Sequence, residues 1–333
     1  MGAKLIISCG FTFSITLVLL PLLIKILKKE KMQQNILSYV TMHQSKQGTP
    51  TMGGIAFILA IVLSIFLFCR ELNTLSIMTA IITLAFSLIG FLDDFIKFKF
   101  KRNLGLRPYQ KIISQLAVSV AVAIFTFKSG VVGSTILIPF AKTQVDLGAF
   151  IIPFVILVFL ATTNSVNLTD GLDGLAGFST LSFLLTFIML LAAQVAIRLD
   201  GISVLHLGEI DNLMTVCAIG VGAMIAFLLY NGNPAKVFMG DTGSLGLGGL
   251  IASVAIFSRN SLFIVIIGLC FVLSSVSVII QVAYFKLTRK RVFLMAPLHH
   301  HFEKKGVPEN RIVFIYASIT FFLGLLCVLF ELV

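Results

Sequence analysis

Residues 75–94 read LSIMTAIITLAFSLIGFLDD, an uncharged apolar run that ends in two adjacent aspartates. A membrane-spanning helix needs about 20 mainly apolar residues, and the run at 75–92 falls in the permitted range. A carboxylate at a bilayer is costly and usually serves a function. The stretch therefore predicts a transmembrane helix with Asp93 and Asp94 at one end, where both are candidates for chemistry.

The same apolar pattern recurs along most of the chain. Of its 333 residues, 58% are hydrophobic and 12% are charged, whereas soluble domains average about 25% charged residues. We therefore predict an all-α polytopic membrane protein, folded as a single integral membrane domain over residues 1–333. About ten transmembrane helices are expected, at residues 5–27, 53–69, 75–92, 111–127, 148–163, 175–197, 213–230, 245–257, 262–284 and 312–332.

The basic residues divide unevenly between the two sides of this predicted bundle. Only six of the 25 lysines and arginines fall in one set of alternating loops and helix ends. Because cytoplasmic loops are enriched in Lys and Arg, the other set is predicted to be cytoplasmic, which puts both chain termini outside. The excess of Lys and Arg in the cytoplasmic set explains the net charge of +11. We therefore expect no nucleic-acid partner. The six outer residues are Lys4, Arg70, Lys128, Lys142, Arg198 and Arg259.

One of the outer loops has the composition of a small hairpin. Residues 131–138, VVGSTILI, combine a glycine with several β-branched residues, a pattern typical of short strands bounded by a turn. We therefore expect a hairpin near 131–138.

Asp93 and Asp94 lie at a predicted cytoplasmic helix end, close to Lys97. Adjacent carboxylates repel each other, which favours a neighbouring cation. Successive residues of a helix point about 100° apart, so the two acids should have different partners and different roles. The alternative interpretation is a solvated helix end without function.

Residues 164–174, NSVNLTDGLDG, form the richest polar segment. Asn164, Asn167, Asp170 and Asp173 recur every three residues, and this spacing predicts one shared face of a helical or 3₁₀ turn. Oxygen-bearing side chains of this kind suit Mg²⁺ or the polar groups of a sugar nucleotide. The alternative is a capped, glycine-broken loop, whereas an EF-hand is excluded because the terminal glutamate is missing.

Residues 231–244, NGNPAKVFMGDTGS, contain an isolated acid in a glycine-rich segment. Gly240 and Gly243 would let backbone N–H groups approach an anion, and Thr242 and Ser244 are expected to cap the following helix, whose N-terminus favours phosphate. A P-loop is excluded because its Lys-Ser/Thr pair is absent. We expect Asp241 to bind a metal that holds a diphosphate.

Two further cytoplasmic segments carry candidate site residues. In residues 297–303, PLHHHFE, three consecutive histidines point in different directions, so phosphate contacts or proton transfer are favoured over one metal site. The alternative there is a polar surface loop. Residues 46–54, KQGTPTMGG, indicate only a turn and a helix start, and Lys46 and Thr51 gain interest from the neighbouring carboxylates.

Together these motifs favour transfer of a phosphoryl group at the membrane boundary. A water-soluble reactant can approach from the cytoplasm, and a lipid reactant can approach through the bilayer. A divalent metal stabilises such a transfer by neutralising charge and aligning the groups. Asp241 is the preferred Mg²⁺ ligand, and Asp93 or Asp94 would take the proton of a lipid phosphate or assist its attack.

The combined motifs resemble those of the polyprenyl-phosphate N-acetylhexosamine-1-phosphate transferases. Within that superfamily, residues 49–54 and 297–303 look most like phospho-N-acetylmuramoyl-pentapeptide transferases, the MraY family, and the resemblance covers essentially the whole chain. It implies transfer of phospho-MurNAc-pentapeptide from UDP-MurNAc-pentapeptide to undecaprenyl phosphate, which gives lipid I and UMP in peptidoglycan synthesis. It further implies Mg²⁺ dependence, a homodimer, and a multi-pass protein of the cytoplasmic (inner) membrane whose active-site cleft faces the cytoplasm.

The resemblance also implies roles for individual residues. Asp93, Asp94, Asp241 and His300 would be catalytic, with Asp241 binding the metal. Two alternatives stay open: a related transferase that moves GlcNAc-1-phosphate, and a transporter coupled to cations. The substrate-binding residues would be Lys46, Thr51, Lys97, Lys111, Asn167, Asp170, Asp173, Asn231, Phe238, Gly240, Ser244, His299 and His301.

Overall fold

Helices make up nearly all of the regular structure. The computed structural model describes residues 2–32, 46–69, 74–100, 105–141, 143–197 and 204–333, without the side chains of 204–207. The elements are α1 (Gly2–Lys29), α2 (Gly54–Phe68), α3 (Thr74–Lys99), α4 (Pro108–Lys128), β1 (Thr135–Ile138), β2 (Thr143–Asp146), α5 (Ile151–Thr169), α6 (Leu175–Ile197), α7 (Val204–Asn231), α8 (Gly240–Phe257), α9 (Phe263–Ile267), α10 (Leu269–Thr288), α11 (Leu298–Lys304) and α12 (Glu309–Leu332).

The helices confirm an all-α polytopic membrane protein. Within the described residues, nine helices are long and apolar enough to cross a bilayer, and α2 is a shorter apolar helix of 15 residues. Together they match the ten predicted apolar segments. The short run expected at 245–257 gains length because α8 begins at Gly240, and the run at 262–284 is divided at Gly268 into α9 and α10.

Helix α8 lies at the centre of the bundle. In its apolar stretch, 89% of the residues are buried, as expected for a helix that is apolar on all sides. Small residues let its neighbours approach closely. A Cβ atom on Gly90 of α3 would collide with the backbone of Asp241, and one on Gly54 of α2 would collide with the backbone of Gly243. The start of α8 is therefore held directly against α2 and α3.

The outer hairpin is present but extends further along the chain than we predicted. Strand β1 pairs with β2 in antiparallel register, with Thr135 opposite Asp146, whereas residues 131–134 form only the turn before β1. The hairpin predicted near 131–138 is therefore confirmed, with its first strand at Thr135–Ile138, its second strand further along the chain, and the glycine of the segment in the turn before β1. The second strand, TQVD, is exposed and has no apolar pattern of its own.

Some predicted loop features lie outside the described residues. These are residues 70–73 and 198–203, within the loops that include Arg70 and Arg198, together with Lys101, Arg102 and Lys142.

Candidate active site

Three aspartates from two helices meet at one end of the bundle. Asp93 and Asp94 lie in the last turns of α3, and Asp241 lies in the first turn of α8. Each offers a carboxylate oxygen, and these three oxygens all lie within 4.8 Å of one another. Asp93 and Asp94 are only 3% and 5% exposed. The close packing of Gly90 against Asp241 brings these acids together across the sequence.

Two lysines bind this aspartate cluster. The Lys97 Nζ atom lies 2.6 Å from Asp93 Oδ2 and 3.1 Å from Asp241 Oδ2. The Lys111 Nζ atom lies 2.8 Å from the same Asp241 oxygen. When all three carboxylates are ionised, the two ammonium groups leave an excess of negative charge. The site is therefore suited to a further cation, and the lysines are suited to phosphate oxygens.

Asp93 and Asp94 have different partners, as their positions on the helix predict. Asp94 Oδ2 accepts hydrogen bonds from the Thr242 backbone N–H at 3.0 Å and from the Thr242 hydroxyl at 2.8 Å. Asp93 Oδ1 accepts one from the Leu106 backbone N–H at 2.8 Å. Asp94 thus secures the first turn of α8, and Asp93 secures the chain just before α4.

The expected capping of α8 by its own hydroxyl residues was wrong. The N-cap residue is Met239, and it makes no side-chain capping bond. Helix α8 begins at Gly240, before both hydroxyl residues. Its first turn is bound instead by the carboxylate of Asp94 from α3. Gly240 has a φ of +70°, and a Cβ atom there would lie 2.5 Å from Asp94 Oδ2. Gly240 therefore allows a protein carboxylate, that of Asp94, to approach closely, where we had expected the anion of a substrate.

The residues near Asp241 in α8 serve packing and orientation. A Cβ atom on Gly243 would lie 3.0 Å from Gly54 Cα, so Gly243 allows α2 to pack closely. The Ser244 hydroxyl is buried, donates to the Gly240 carbonyl at 3.0 Å, and accepts from the Asn167 amide at 2.8 Å. The expected anion contact at Gly243 is thus replaced by helix packing.

The shared face predicted for residues 164–173 is interrupted. Helix α5 ends at Thr169, so Asp170 and Asp173 lie in the following turn. The Asn167 amide donates to Asp241 Oδ1 at 2.8 Å, whereas the Asn164 amide donates to Gln115 Oε1 at 2.7 Å. The prediction missed the helix end because three-residue spacing says nothing about where the backbone leaves the helix.

Asp170 lies in a strongly acidic environment. Burial, followed by repulsion from Asp241, Asp94 and Asp173, raises the pKa of its carboxyl well above the usual value. A side chain in this position is stabilised by a proton or by a nearby cation. Asp170 therefore joins the aspartate cluster electrostatically.

The three histidines lie on the short helix α11 and face different surroundings. His299 is fully buried beside Tyr316. His300 Nδ1 lies 2.9 Å from Glu303 Oε2. A Cβ atom on Gly171 would collide with His299 Nε2 and would lie 3.0 Å from His300 Nε2, so the absence of a side chain on Gly171 lets both histidines approach the turn after α5.

His301 faces away from this turn. Its Nδ1 atom accepts a hydrogen bond from the Leu294 backbone N–H at 3.1 Å, and its ring packs edge-on against Phe293. Slight desolvation and the charge of Lys305 lower the pKa of His301, which favours the neutral ring that can accept this bond. The three histidines are thus not arranged as one metal site.

A second polar network lies beside the aspartate cluster. Lys46 Nζ contacts Asp173 Oδ1 at 2.7 Å and Glu309 Oε1 at 2.6 Å. We did not predict a role for Glu309 from the sequence, nor the pairing of Asn164 with Gln115. The only signal in the sequence is that Glu309 is an isolated acid in the first turn of the last membrane helix.

The remaining predicted site residues bind backbone segments around the loop between α7 and α8. The buried Asn231 amide donates to the Val237 carbonyl at 2.9 Å and accepts from the Gly174 N–H at 3.1 Å. Phe238 is half-buried, and its backbone bonds Pro50 and Gly53 at 2.8 Å each. A Cβ atom on Gly240 would lie 3.1 Å from Thr51 Oγ1. The predicted residues therefore converge on one region, although several are bound mainly to backbone.

The sequence matches two descriptions of known protein families. The family model described as glycosyl transferase family 4 matches residues 76–259, which is more than half of the chain. The pattern described as phospho-N-acetylmuramoyl-pentapeptide-transferase signature 1 matches residues 46–58, which begin with Lys46 and run into α2.

Several curated relatives are similar over nearly their whole length. Each is named phospho-N-acetylmuramoyl-pentapeptide-transferase. The Clostridium kluyveri protein is 44% identical over 97% of this chain and 98% of its own length. The Clostridioides difficile protein is 43% identical over 92% of both chains. The Desulfitobacterium hafniense protein is 39% identical over 99% of this chain and 98% of its own.

Proposed function

The chain belongs to the phospho-N-acetylmuramoyl-pentapeptide transferase family, and from this premise we propose how its aspartate cluster carries out the family's reaction. The enzyme transfers phospho-MurNAc-pentapeptide from UDP-MurNAc-pentapeptide to undecaprenyl phosphate, giving lipid I and UMP in peptidoglycan synthesis. The observation that carries the site assignment is the meeting of Asp93, Asp94 and Asp241 with two lysines at the ends of membrane helices.

Mg²⁺ is the cofactor that these residues fit. Three carboxylates within 4.8 Å provide only hard oxygen donors, which Mg²⁺ prefers over nitrogen and sulfur ligands. Asp241 is the proposed ligand. When bound, the ion would neutralise the charge that develops on the transferred phosphoryl group.

The two lysines of the cluster are assigned to the substrate phosphates. Lys97 is about one-third exposed, so its ammonium can exchange a carboxylate for a phosphate oxygen. Lys111 reaches Asp241 from α4, and the Asn167 amide holds the other Asp241 oxygen. A lysine provides a compact positive charge for phosphate, so both residues would orient the diphosphate for attack.

The partners of the two adjacent aspartates suggest a division of roles. One oxygen of Asp94 accepts two hydrogen bonds from Thr242, so we assign Asp94 to positioning α8. Asp93 faces Lys97 with its Oδ2 atom, and we assign that oxygen to accept the proton of the lipid phosphate. Proton transfer requires a group within hydrogen-bond reach of the reacting atom, which a lipid phosphate bound by Lys97 would provide.

The remaining predicted residues are proposed to surround the nucleotide sugar. His300 lies above the turn that contains Asp170 and is assigned to the sugar phosphate. The half-buried ring of Phe238 offers a surface for uracil, since aromatic rings accept bases by stacking. Asn231 and His299 are buried and would act by shaping the cleft. The buried Ser244 would act by orienting Asn167. Other assigned contacts are Lys46, Thr51, Asp173, Gly240 and His301.

We place the enzyme in the cytoplasmic (inner) membrane with both termini outside. The uneven distribution of Lys and Arg supports this orientation, in which the aspartate cluster faces the cytoplasm. Undecaprenyl phosphate would then reach the cluster from the bilayer, while the soluble nucleotide sugar enters from the cytoplasm. We further propose a homodimer, in keeping with the family.

The decisive experiment measures UMP release by the purified protein. UDP-MurNAc-pentapeptide is supplied with and without undecaprenyl phosphate, and with and without Mg²⁺. Release that requires lipid and metal together is expected. Release from UDP-GlcNAc instead would assign the chain to the GlcNAc-1-phosphate transferases, and ion flux through proteoliposomes without UMP release would favour a transporter.

A further inference from the structure

Lys46 is bound by carboxylates from two distant parts of the chain. Lys46 Nζ lies 2.7 Å from Asp173 Oδ1 and 2.6 Å from Glu309 Oε1. The side chains of Lys46, Asp173 and Glu309 are only 18%, 2% and 13% exposed. The lysine is therefore enclosed between the turn after α5 and the start of α12.

Glu309 makes further hydrogen bonds besides its ion pair with Lys46. Its Oε1 atom also accepts the Asp173 backbone N–H at 2.6 Å, and its Oε2 atom accepts the Asn233 amide at 2.9 Å. Asp173 Oδ2 in turn accepts the Ala235 backbone N–H at 3.0 Å. One glutamate thus joins the segment before α2, the turn after α5, and the loop between α7 and α8.

We propose that Glu309 is a positioning residue of the transfer reaction, which holds Lys46 and the turn at 170–174 in the geometry that receives the nucleotide sugar. The proposal rests on the function proposed above. Lysine has a long flexible stem, so fixing its rotamer in advance lowers the entropy cost of placing its charge beside a phosphate. Asp173 alone would bind Lys46 from one side, and Glu309 supplies the second contact.

The location of Glu309 suits this role. It occupies the first turn of α12, where the helix dipole favours a negative side chain. Helix α12 is itself a long membrane helix, so it provides a rigid support for a flexible side chain. The same oxygen that binds Lys46 binds the Asp173 backbone, so a change at Glu309 reaches the lysine and the turn together.

The test is a double-mutant cycle on UMP release, using Glu309→Gln, Lys46→Met and the double variant. We expect Glu309→Gln to raise KM for UDP-MurNAc-pentapeptide about tenfold while KM for undecaprenyl phosphate stays within about twofold. In the Lys46→Met background the same change should alter KM by less than about twofold, because glutamine keeps an acceptor oxygen for the Asp173 N–H and the ion pair that it removes is already absent. Glu30→Gln, an exposed site at the end of α1, is the matched control and should change neither constant.

Several results would overturn the proposal. An equal effect of Glu309→Gln in both backgrounds would mean a general structural role, and an unchanged or lower KM for the nucleotide sugar would remove the positioning role. If Glu309→Gln does not fold, the exposed Asn233→Ala variant releases only one hydrogen bond from Glu309 and should raise the same KM about twofold to fivefold. No change in that variant would also refute the proposal.

Failure of the proposed function can be distinguished from failure of this inference. Wild-type protein that releases no UMP from UDP-MurNAc-pentapeptide contradicts the proposed function, whatever the variants do. Active wild-type protein with an unaffected Glu309→Gln variant contradicts only the role of Glu309.

Discussion

Gly90 of α3 and Asp241 of α8 touch through their backbones, leaving no room for a Cβ atom on Gly90. The contact brings the end of a helix with two acids to the start of a helix with the third. Asp94 then closes the junction by accepting the Thr242 hydrogen bonds. The geometry of the aspartate cluster is therefore a direct consequence of how closely these two helices pack.

We predict that Gly90→Ala destabilises the protein and displaces Asp241. Forcing an extra methyl group into a tight contact costs about 1–3 kcal/mol, and the backbone of α8 would have to move. The melting temperature and kcat should fall together. The matched control is Gly10→Ala, a helical glycine whose Cβ atom would meet nothing within 4 Å. An unchanged kcat in folded Gly90→Ala protein would contradict the link between this packing and the site.

We predict that Asp241→Asn abolishes turnover while the protein still folds. The amide keeps the shape of the side chain but loses the charge that faces Lys97 and Lys111. Removing one group that stabilises transition-state charge typically lowers kcat by about 10²-fold or more. The measurement is UMP release at increasing Mg²⁺, with unfolding temperature as the folding check. Near-normal activity at saturating Mg²⁺ would refute a ligand role for Asp241.

The membrane helices were predictable because their signal is local. Apolar runs lie within each segment, and among the described residues nine helices of membrane length and the shorter α2 lie at the ten expected positions. The isolated acids at their ends were also visible in the sequence. The structure brings Asp241 to Asp93 and Asp94, although their roles in the reaction stay predictions.

The hydrogen-bond partners within the site could not be predicted from the sequence, because they join residues that are far apart along the chain. The bond from Thr242 to Asp94 joins residues 148 apart, and the bond from Asp173 to Glu309 joins residues 136 apart. No local pattern marks such partners. For this reason we expected the start of α8 to be capped by its own hydroxyl residues, and we made no prediction about Glu309.

We predict that His301→Ala raises KM for the nucleotide sugar or lowers kcat. The variant loses the acceptor of the Leu294 N–H and the ring that packs on Phe293. A neutral hydrogen bond contributes about 0.5–1.5 kcal/mol, which corresponds to at most about a tenfold change. His301→Asn keeps an acceptor and should recover part of the loss. An unchanged kcat/KM in the alanine variant would favour the alternative interpretation, in which this histidine belongs to a polar surface segment and has no role in the reaction.

The last prediction separates the two adjacent aspartates. Asp94→Ala removes both hydrogen bonds to Thr242, and leaving a buried donor unsatisfied costs about 1–3 kcal/mol. Its melting temperature and activity should therefore fall together. Asp93→Asn keeps an oxygen for the Leu106 N–H but loses the negative charge that we assign to proton transfer. Its kcat should fall about 10²-fold or more, with little change in melting temperature.

Thr242→Val provides the control for this comparison, because it removes only the hydroxyl bond to Asp94 and leaves every carboxylate in place. It should reproduce part of the stability loss of Asp94→Ala and less of its loss of activity. If Asp94→Asn, which retains an acceptor oxygen, loses activity without losing stability while Asp93→Asn stays active, the proton acceptor is Asp94. In that case the hydrogen bonds to Thr242 orient the reacting carboxylate, and the two assignments must be exchanged.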